Sequence, residues 1–264
     1  MELFKKVVWI TGASSGIGEA LAYEFNKKGT HLILSSRRIE ELTRVKEACI
    51  DHVDTVKILP LDLADTGELS GKVQEAISLF GSVDMLINNG GISQRAYAAD
   101  SNMETIRQLM EVNFFGTIAL TKAVLPFMIE QNSGHIVVIS SVMGKLGTKH
   151  RSAYAASKHA LHGWFEALRA EEHDNNIRIL MVMPGFIRTR VSINAVTGDG
   201  SAHGKMDEYQ QKGMSAGLCA ERIIEAMQRD REQVIIAGRE GAGIYLKRWL
   251  PWLYRKIIRR VKVT

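Results

Sequence analysis

Tyr154 stands four residues ahead of Lys158, and Ser141 stands thirteen residues ahead of Tyr154. A phenol and an ammonium at this spacing share one face of a helix, where the cation can draw the phenol's pKa from about 10 toward neutrality. A tyrosine so acidified gives or takes a proton at working pH, each tenfold gain in acidity being worth roughly 1.4 kcal/mol. By itself such a pair is more often an ordinary helix-surface couple. It gains meaning from the run Thr11-Gly12-Ala13-Ser14-Ser15-Gly16-Ile17-Gly18, which follows the apolar stretch Val7-Val8-Trp9-Ile10. Glycines that leave a strand and open a helix bring backbone N–H groups to a pyrophosphate. A nucleotide cradle joined to a tunable acid reads as an oxidoreductase.

The elements that must position these residues are legible as short apolar runs alternating with helical patterns. Lys6 to Thr11, His31 to Ser36, Val56 to Pro60, Val83 to Asn88, Gly134 to Ser140, Ile177 to Met183 and Gln233 to Ala237 read as strands. They are rich in Val, Ile and Leu without polar alternation, as strands covered on both faces are. Crossover helices fit between them, beginning near Gly16, Ile39, Thr66, Ser101, Ser152 and Ser215. The expected fold is α/β: a single doubly wound Rossmann-type domain with a central parallel sheet of about seven strands flanked by helices. Pro126 makes the stretch from Ser101 to Gln131 either two helices or one with a kink. The irregular stretch 185–213 follows a strand end, where ligands of open α/β sheets bind, and is expected to cover the substrate.

Composition narrows the class. The 264 residues are 45% hydrophobic and 24% charged, suiting one globular domain. Cys49 and Cys219 stand far apart with no metal-ligand spacing, so neither disulfides nor a metal site is expected, and a reducing cytoplasmic setting fits. The net charge of +5 is uneven: from Ala242 on there are seven Lys and Arg and no acid. Setting those aside leaves 27 basic against 29 acidic residues, which argues against a nucleic-acid-binding face. No run approaches the roughly 20 apolar residues of a spanning helix, so any membrane contact is expected to be peripheral.

At the end of the second strand the chain reads Ser35-Ser36-Arg37-Arg38, with no acid to hold a ribose diol. A guanidinium pairs with a 2′-phosphate that an acid would repel, so NADP(H) is expected over NAD(H), with Arg37 as the main anion partner and Arg38 stacking on adenine. The other reading of the arginine pair is a solvated surface before a helix.

Taken in order, Thr11 to Gly18, Asp62, Asn88-Asn89-Gly90-Gly91, Asn113, Ser140-Ser141, Tyr154-x-x-x-Lys158 and Pro184-Gly185 resemble the short-chain dehydrogenase/reductase family, in its shorter, non-extended branch, across nearly the whole chain. The stretches Leu-Ser-Ser-Arg-Arg, Arg-Ser-Ala-Tyr-Ala-Ala-Ser-Lys-His and Asn-Ala-x-Thr-x-Asp-Gly-Ser look like its subgroup called member 7 and 7B. The resemblance implies Tyr154 as proton donor, Lys158 as holder of the nicotinamide ribose, Ser141 as the group that polarises the carbonyl, in preference to Ser140, and Asn113 as a residue whose backbone carries a proton-return water. It implies that Gly12, Ser14, Ser15, Gly16, Ile17 and Gly18 cradle the cofactor, with Asp62 and Leu63 near the adenine and Asn89 and Gly90 at the ribose. Pro184, Gly185, Ile187 and Thr189 would flank the nicotinamide. Asp62 can also be read as a helix N-cap. Gly90 departs from the family's usual alanine, and the site is expected to survive the change.

The substrate wall is expected from Met143, Gly144, Leu146, His150, Phe186, Val191, Met206 and Tyr209, mostly apolar, suiting a bulky hydrophobic ketone or its alcohol. NADPH-dependent reduction is the leading expectation. The alternatives are oxidation of an alcohol and a non-catalytic NADP-binding sensor or scaffold whose tail finds membranes or partners. A homodimer or homotetramer through helices near Ser101 to Gln131 and Ser152 to Glu172 is expected from the resemblance. The domain is read as 1–241, followed by a basic amphipathic segment, 242–264, that either lies on an anionic membrane or packs on protein. Pro251 would kink that segment or start its second half.

Overall fold

Burial on both faces makes the expected apolar runs into strands: Val7–Thr11 (β1), His31–Ser35 (β2), Val56–Ile58 (β3), Met85–Asn88 (β4), Gly134–Ile139 (β5) and Ile177–Pro184 (β6). A two-residue pair, Ile187–Arg188 (β7) and Met214–Ser215 (β8), lies apart, and Gln233–Ile236 (β9) completes the main sheet. The computed structural model describes residues 2–261. All seven main strands pair in parallel, in the order β3-β2-β1-β4-β5-β6-β9. The order reverses between β1 and β4, and the crevice beyond their carboxyl ends is where a doubly wound sheet takes its ligand.

Helices cover both faces: Gly16–Asn26 (α1), Ile39–Glu47 (α2), Leu69–Phe80 (α3), Met103–Met110 (α4), Gly116–Glu130 (α5), Ser152–Glu171 (α6), Glu208–Gln211 (α7) and Ala216–Gln228 (α8). The pleat of β1 splits the core. Val8 and Ile10 pack with Leu21 of α1 and Ile223 of α8, whereas Val7 and Trp9 pack with Val73 of α3, Leu120 of α5 and Phe165 of α6. Trp9 is fully buried, and its indole N–H donates to Ser35 Oγ at 2.8 Å, which in turn donates to the Leu59 carbonyl at 2.6 Å. The apolar burial is therefore kept without stranding a donor.

The stretch expected as two helices or a kinked one runs on as a single 28-residue rod, Met103–Glu130. Its departure from α geometry is a π turn over Glu111–Phe115, not a break at Pro126, which sits within α5. The expectation that no run approaches a spanning helix is corrected here, since the rod is long and apolar enough to cross a membrane by length and composition alone. Core helices meet the same measure, and this one seats Leu120, Val124 and Met128 on the sheet.

The basic segment forms two helices, Ala242–Trp249 (α9) and Pro251–Ile258 (α10), the second started by Pro251. Both pack on the body: Tyr254, Ile244, Leu246 and Ile258 meet Val142, Met143 and Leu146, and Tyr254 Oη donates to the Gly147 carbonyl at 3.2 Å. Lys262 lies outside the described residues.

Candidate active site

The exits of β1 and β4 are latched together by side chains of the glycine run's neighbours. Thr11 Oγ1 accepts from the backbone N–H groups of Asn89 and Gly90, each at 3.0 Å. Asn89 Nδ2 donates back to the carbonyls of Thr11 and Gly12 at 3.0 and 3.1 Å. Gly12 and Gly16 adopt φ of 64° and 63°, the left-handed region in which side chains are strained. A Cβ on Gly12 would fall 2.8 Å from Gly90 Cα, and one on Gly16 would meet the Thr189 methyl at 3.1 Å. A Cβ on Gly90 would meet Leu63 Cδ1 at 2.6 Å, so Leu63 fills the space that the family's alanine methyl would take.

Arg38, not Arg37, reaches the glycine loop, donating to Ser14 Oγ at 2.9 Å and Ser15 Oγ at 3.2 Å. Arg37 instead lies 3.9 Å from Asp62. The Asp62 carboxylate accepts from the Ala64 N–H at 3.0 Å. It closes a turn and caps no helix, since α3 starts only at Leu69. Ile17 packs on the core, Ile187 is buried in β7, and Pro184 ends β6, with the Gly185 N–H donating to Ile236 at 2.9 Å.

Tyr154 sits in the first turn of α6 and Lys158 one turn later. The Lys158 ammonium lies 5.9 Å from the Tyr154 ring centroid and donates to the Ile139 carbonyl at 2.9 Å. Burial brings its pKa down to about 8. Burial likewise raises the Tyr154 pKa, opposed by a hydrogen bond with Ser141 and by the charges of Arg151 and Arg95. The expectation that Lys158 draws the phenol toward neutrality is thus corrected. Desolvation outweighs the nearby cations, the acidifying ones are arginines, and the phenol stays protonated near neutral pH.

Ser141 Oγ also accepts from the Met143 N–H at 3.1 Å. Ser140 is engaged elsewhere, 3.0 Å from His162 Nε2, and burial lowers the His162 pKa to about 3. The π turn carries Asn113 inward, where its side chain donates to the Ile92 carbonyl at 2.9 Å and to Ser157 Oγ at 3.0 Å. Ser157 Oγ donates in turn to the Tyr154 carbonyl at 2.8 Å. The backbone carbonyl of Asn113 accepts from Thr117 Oγ1 at 3.1 Å.

Sequence reasoning missed a polar frame around Tyr154. Gln94 is fully buried, and its side-chain oxygen accepts from the N–H groups of Ala153 and Tyr154 at 2.9 and 3.3 Å, capping the helix turn that bears the phenol. Arg95 and Arg151 converge on Asp207 of the irregular stretch: Arg95 Nε lies 2.9 Å and Arg151 Nη2 3.1 Å from its carboxylate, and Arg95 Nη2 donates to it as well. His203 Nε2 is 4.0 Å away on the other oxygen. The one signal for Gln94 and Arg95 is their place just beyond the carboxyl end of β4.

Tyr154 and Ser141 line a cavity of about 1290 Å³ with Met143, Leu146, Phe186, Val191 and Tyr209, bordered on one side by α9 and α10. Three residues expected in its wall lie elsewhere. His150, at φ 62°, turns onto Tyr97 with ring centroids 4.1 Å apart and lines a separate depression with Asp100 and Thr197. A Cβ on Gly144 would meet His162 Nε2 at 2.6 Å, away from the cavity. Met206 lines a depression over the glycine loop. Arg151, the next residue after His150, takes the place in the cavity wall. Among the described residues no group of three His, Cys, Asp or Glu could hold a metal ion.

Comparison with known proteins agrees with this frame. Residues 6–199 match the short chain dehydrogenase family. The chain is 45% identical to a dehydrogenase/reductase SDR family protein 7-like of Drosophila melanogaster over 94% of its length and 78% of that protein. It is 39% identical to the mouse SDR family member 7B over 96% of its length and 80% of that protein. A short-chain dehydrogenase from Streptomyces avermitilis superposes with a TM-score of 0.81 at 27% identity, covering 97% of this chain and 99% of that one. A short chain dehydrogenase/reductase from Burkholderia phymatum, crystallised with NAD, superposes with a TM-score of 0.84 at 23% identity over 100% and 98% of the two chains, and speaks for the fold. The chain belongs to the short-chain dehydrogenase/reductase family of oxidoreductases.

Proposed function

We propose that this protein reduces a bulky hydrophobic ketone with NADPH, Tyr154 delivering the proton to the forming alkoxide. The observation that carries the reading is the Tyr154 phenol, which lines a mostly apolar cavity together with Ser141. A nicotinamide cofactor fits the cradle on its own geometry: Gly12 and Gly18 lack the Cβ that would crowd Gly90 and the Asn89 amide. When bound, the cofactor supplies the hydride.

The chain's own groups would do the rest. Ser141 Oγ would share its hydrogen bond with a substrate oxygen and polarise the carbonyl. Burial keeps the phenol protonated, which suits a proton donor. The Lys158 ammonium would hold the ribose, Asn113 and Ser157 brace the turn that carries Tyr154, and Gln94 fixes its N-terminus. The guanidinium of Arg38 beside Ser14 and Ser15, with Arg37 next to it, supports a 2′-phosphate partner, although the Burkholderia relative was crystallised with NAD. Pairing of subunits through the long apolar rod 103–130 and through α6 belongs to the same reading, with Phe115 left 45% exposed on the rod.

The test is a panel of carbonyl compounds followed by NADPH absorbance, run beside Tyr154→Phe. Reduction of apolar ketones by the wild type, and its loss in the variant, is expected. Equal rates in both would remove Tyr154 from the chemistry.

A further inference from the structure

The two C-terminal helices divide their residues into three sets. One set, Tyr254, Ile244, Leu246 and Ile258, is seated on the body. A second is large, apolar or aromatic, and exposed: Tyr245 57%, Trp249 72%, Leu250 43%, Trp252 55%, Ile257 43% and Val261 38%. The third is basic: Lys247, Arg248, Arg255, Lys256, Arg259 and Arg260 are all exposed, and among the described residues none pairs with a carboxylate. A monomeric surface seldom shows so many neighbouring large apolar groups without a use.

Five of the six exposed apolar residues, all except Trp252, also line the cavity that ends at Tyr154 and Ser141. The rim of that cavity is therefore the same surface that stands bare to solvent. Its chemistry fits one occupant. Trp and Tyr mixed with Lys and Arg is the composition of groups that sit at lipid headgroups. Six exposed cations with no carboxylate partner among the described residues suit an anionic bilayer better than a protein interface, whose core is depleted in charge. The absence of any acid from Ala242 on, against a body with slightly more acids than bases, directs this face to an anionic surface.

We infer that α9 and α10 dock on an anionic lipid bilayer with the cavity mouth turned into it, and that the substrate is a membrane-dissolved ketone entering from the lipid between these helices. Docking stands on the surface alone; the uptake step rests on the proposed reductase reading. Trp249 and Leu250 would dip below the headgroups, while Arg255, Lys256 and Arg259 meet lipid phosphates. A water-insoluble ketone would then reach Tyr154 along a lining that is mostly apolar.

The experiment uses the full chain with vesicles of brominated phosphatidylcholine, with and without phosphatidylserine. The test variant combines Trp252→Glu with Lys256→Glu, two exposed positions outside the cavity wall, its fold checked by thermal unfolding. Co-sedimentation with the phosphatidylserine vesicles, quenching of tryptophan fluorescence by the bromine, and binding at least about tenfold weaker both to the neutral vesicles and for the variant are expected. Equal binding of wild type and variant, unquenched tryptophan, or a spectral change that follows protein concentration without vesicles, as a protein-protein face would give, would overturn docking. In a second arm the variant should keep wild-type turnover of a water-soluble ketone and lose turnover of one dissolved in the vesicles; parallel rates would overturn entry from lipid. If the wild type reduces no ketone, the catalytic reading and the uptake step fail together, while the vesicle arm still decides docking.

Discussion

The Lys158 ammonium lies over the Tyr154 ring, 5.9 Å from its centroid, and spends a hydrogen bond on the Ile139 carbonyl. Cation and phenol are thus stacked but not directly bonded, and the two titrate for separate reasons. Burial holds the lysine pKa at about 8, below its ordinary 10.5. The unfolded chain therefore binds the extra proton between those values, and the site's contribution to stability rises with pH across that window. Below about 8 both states are protonated and the cost of burying the charge is fully present. In cofactor-free protein the stability of wild type relative to Lys158→Met should climb by roughly 2–3 kcal/mol from pH 8 to pH 10.5. Denaturant unfolding across that range checks it; a flat difference would mean that the amine is not desolvated.

Arg151 and Arg95 act to lower the phenol's pKa, and both are ion-paired with Asp207. Charge removal should therefore work in opposite senses. Arg151→Met should raise the Tyr154 pKa and Asp207→Asn lower it, each changing the acidity constant by about three- to tenfold. Phenolate absorbance, read as the difference from the matching Tyr154→Phe protein, measures both. Changes in the same direction would show that the cluster only supports the fold.

His162 is buried against Ser140, with its pKa lowered to about 3. Above its ordinary 6.5 both folded and unfolded states hold it neutral. As pH falls below that, the unfolded state gains a proton that the folded one refuses, so stability declines until pH about 3. Wild type should lose on the order of 3 kcal/mol more than His162→Gln over this range. Urea midpoints at a series of pH values check it, and parallel declines would contradict it.

Arg38 bonds the glycine-loop serines while Arg37 leans toward Asp62, so the two should differ as partners for a 2′-phosphate. Arg38→Ala should lower the NADPH-over-NADH ratio of binding constants by about tenfold or more and Arg37→Ala by less. Titration of cofactor fluorescence separates them; an unchanged ratio in Arg38→Ala would move the specificity elsewhere.

Much of this frame could be read from residue order. The strands declared themselves because parallel strands covered on both faces need unbroken Val, Ile and Leu, and Gly12, Gly16 and Gly18 fall where β1 meets α1. Tyr154, Lys158 and Ser141 came together because helix periodicity and one strand exit fix them. What local pattern could not give was long-range polar pairing. Gln94 caps a helix 59 residues away, and Arg95 meets Asp207 across 112 residues. His150 was misplaced for a related reason: its positive φ points the ring at Tyr97 and hands the cavity to Arg151. Whether desolvation or a neighbouring cation governs the phenol likewise depends on burial that spacing alone does not reveal.

The role proposed for Tyr154 is delivery of the proton to a ketone reduced in this cavity. It is tested most directly by measuring NADPH binding and ketone turnover side by side in wild type and Tyr154→Phe. Binding constants within about twofold of each other and turnover at least about a hundredfold lower in the variant are the expected result. Turnover retained within about tenfold, with binding unchanged, would contradict it.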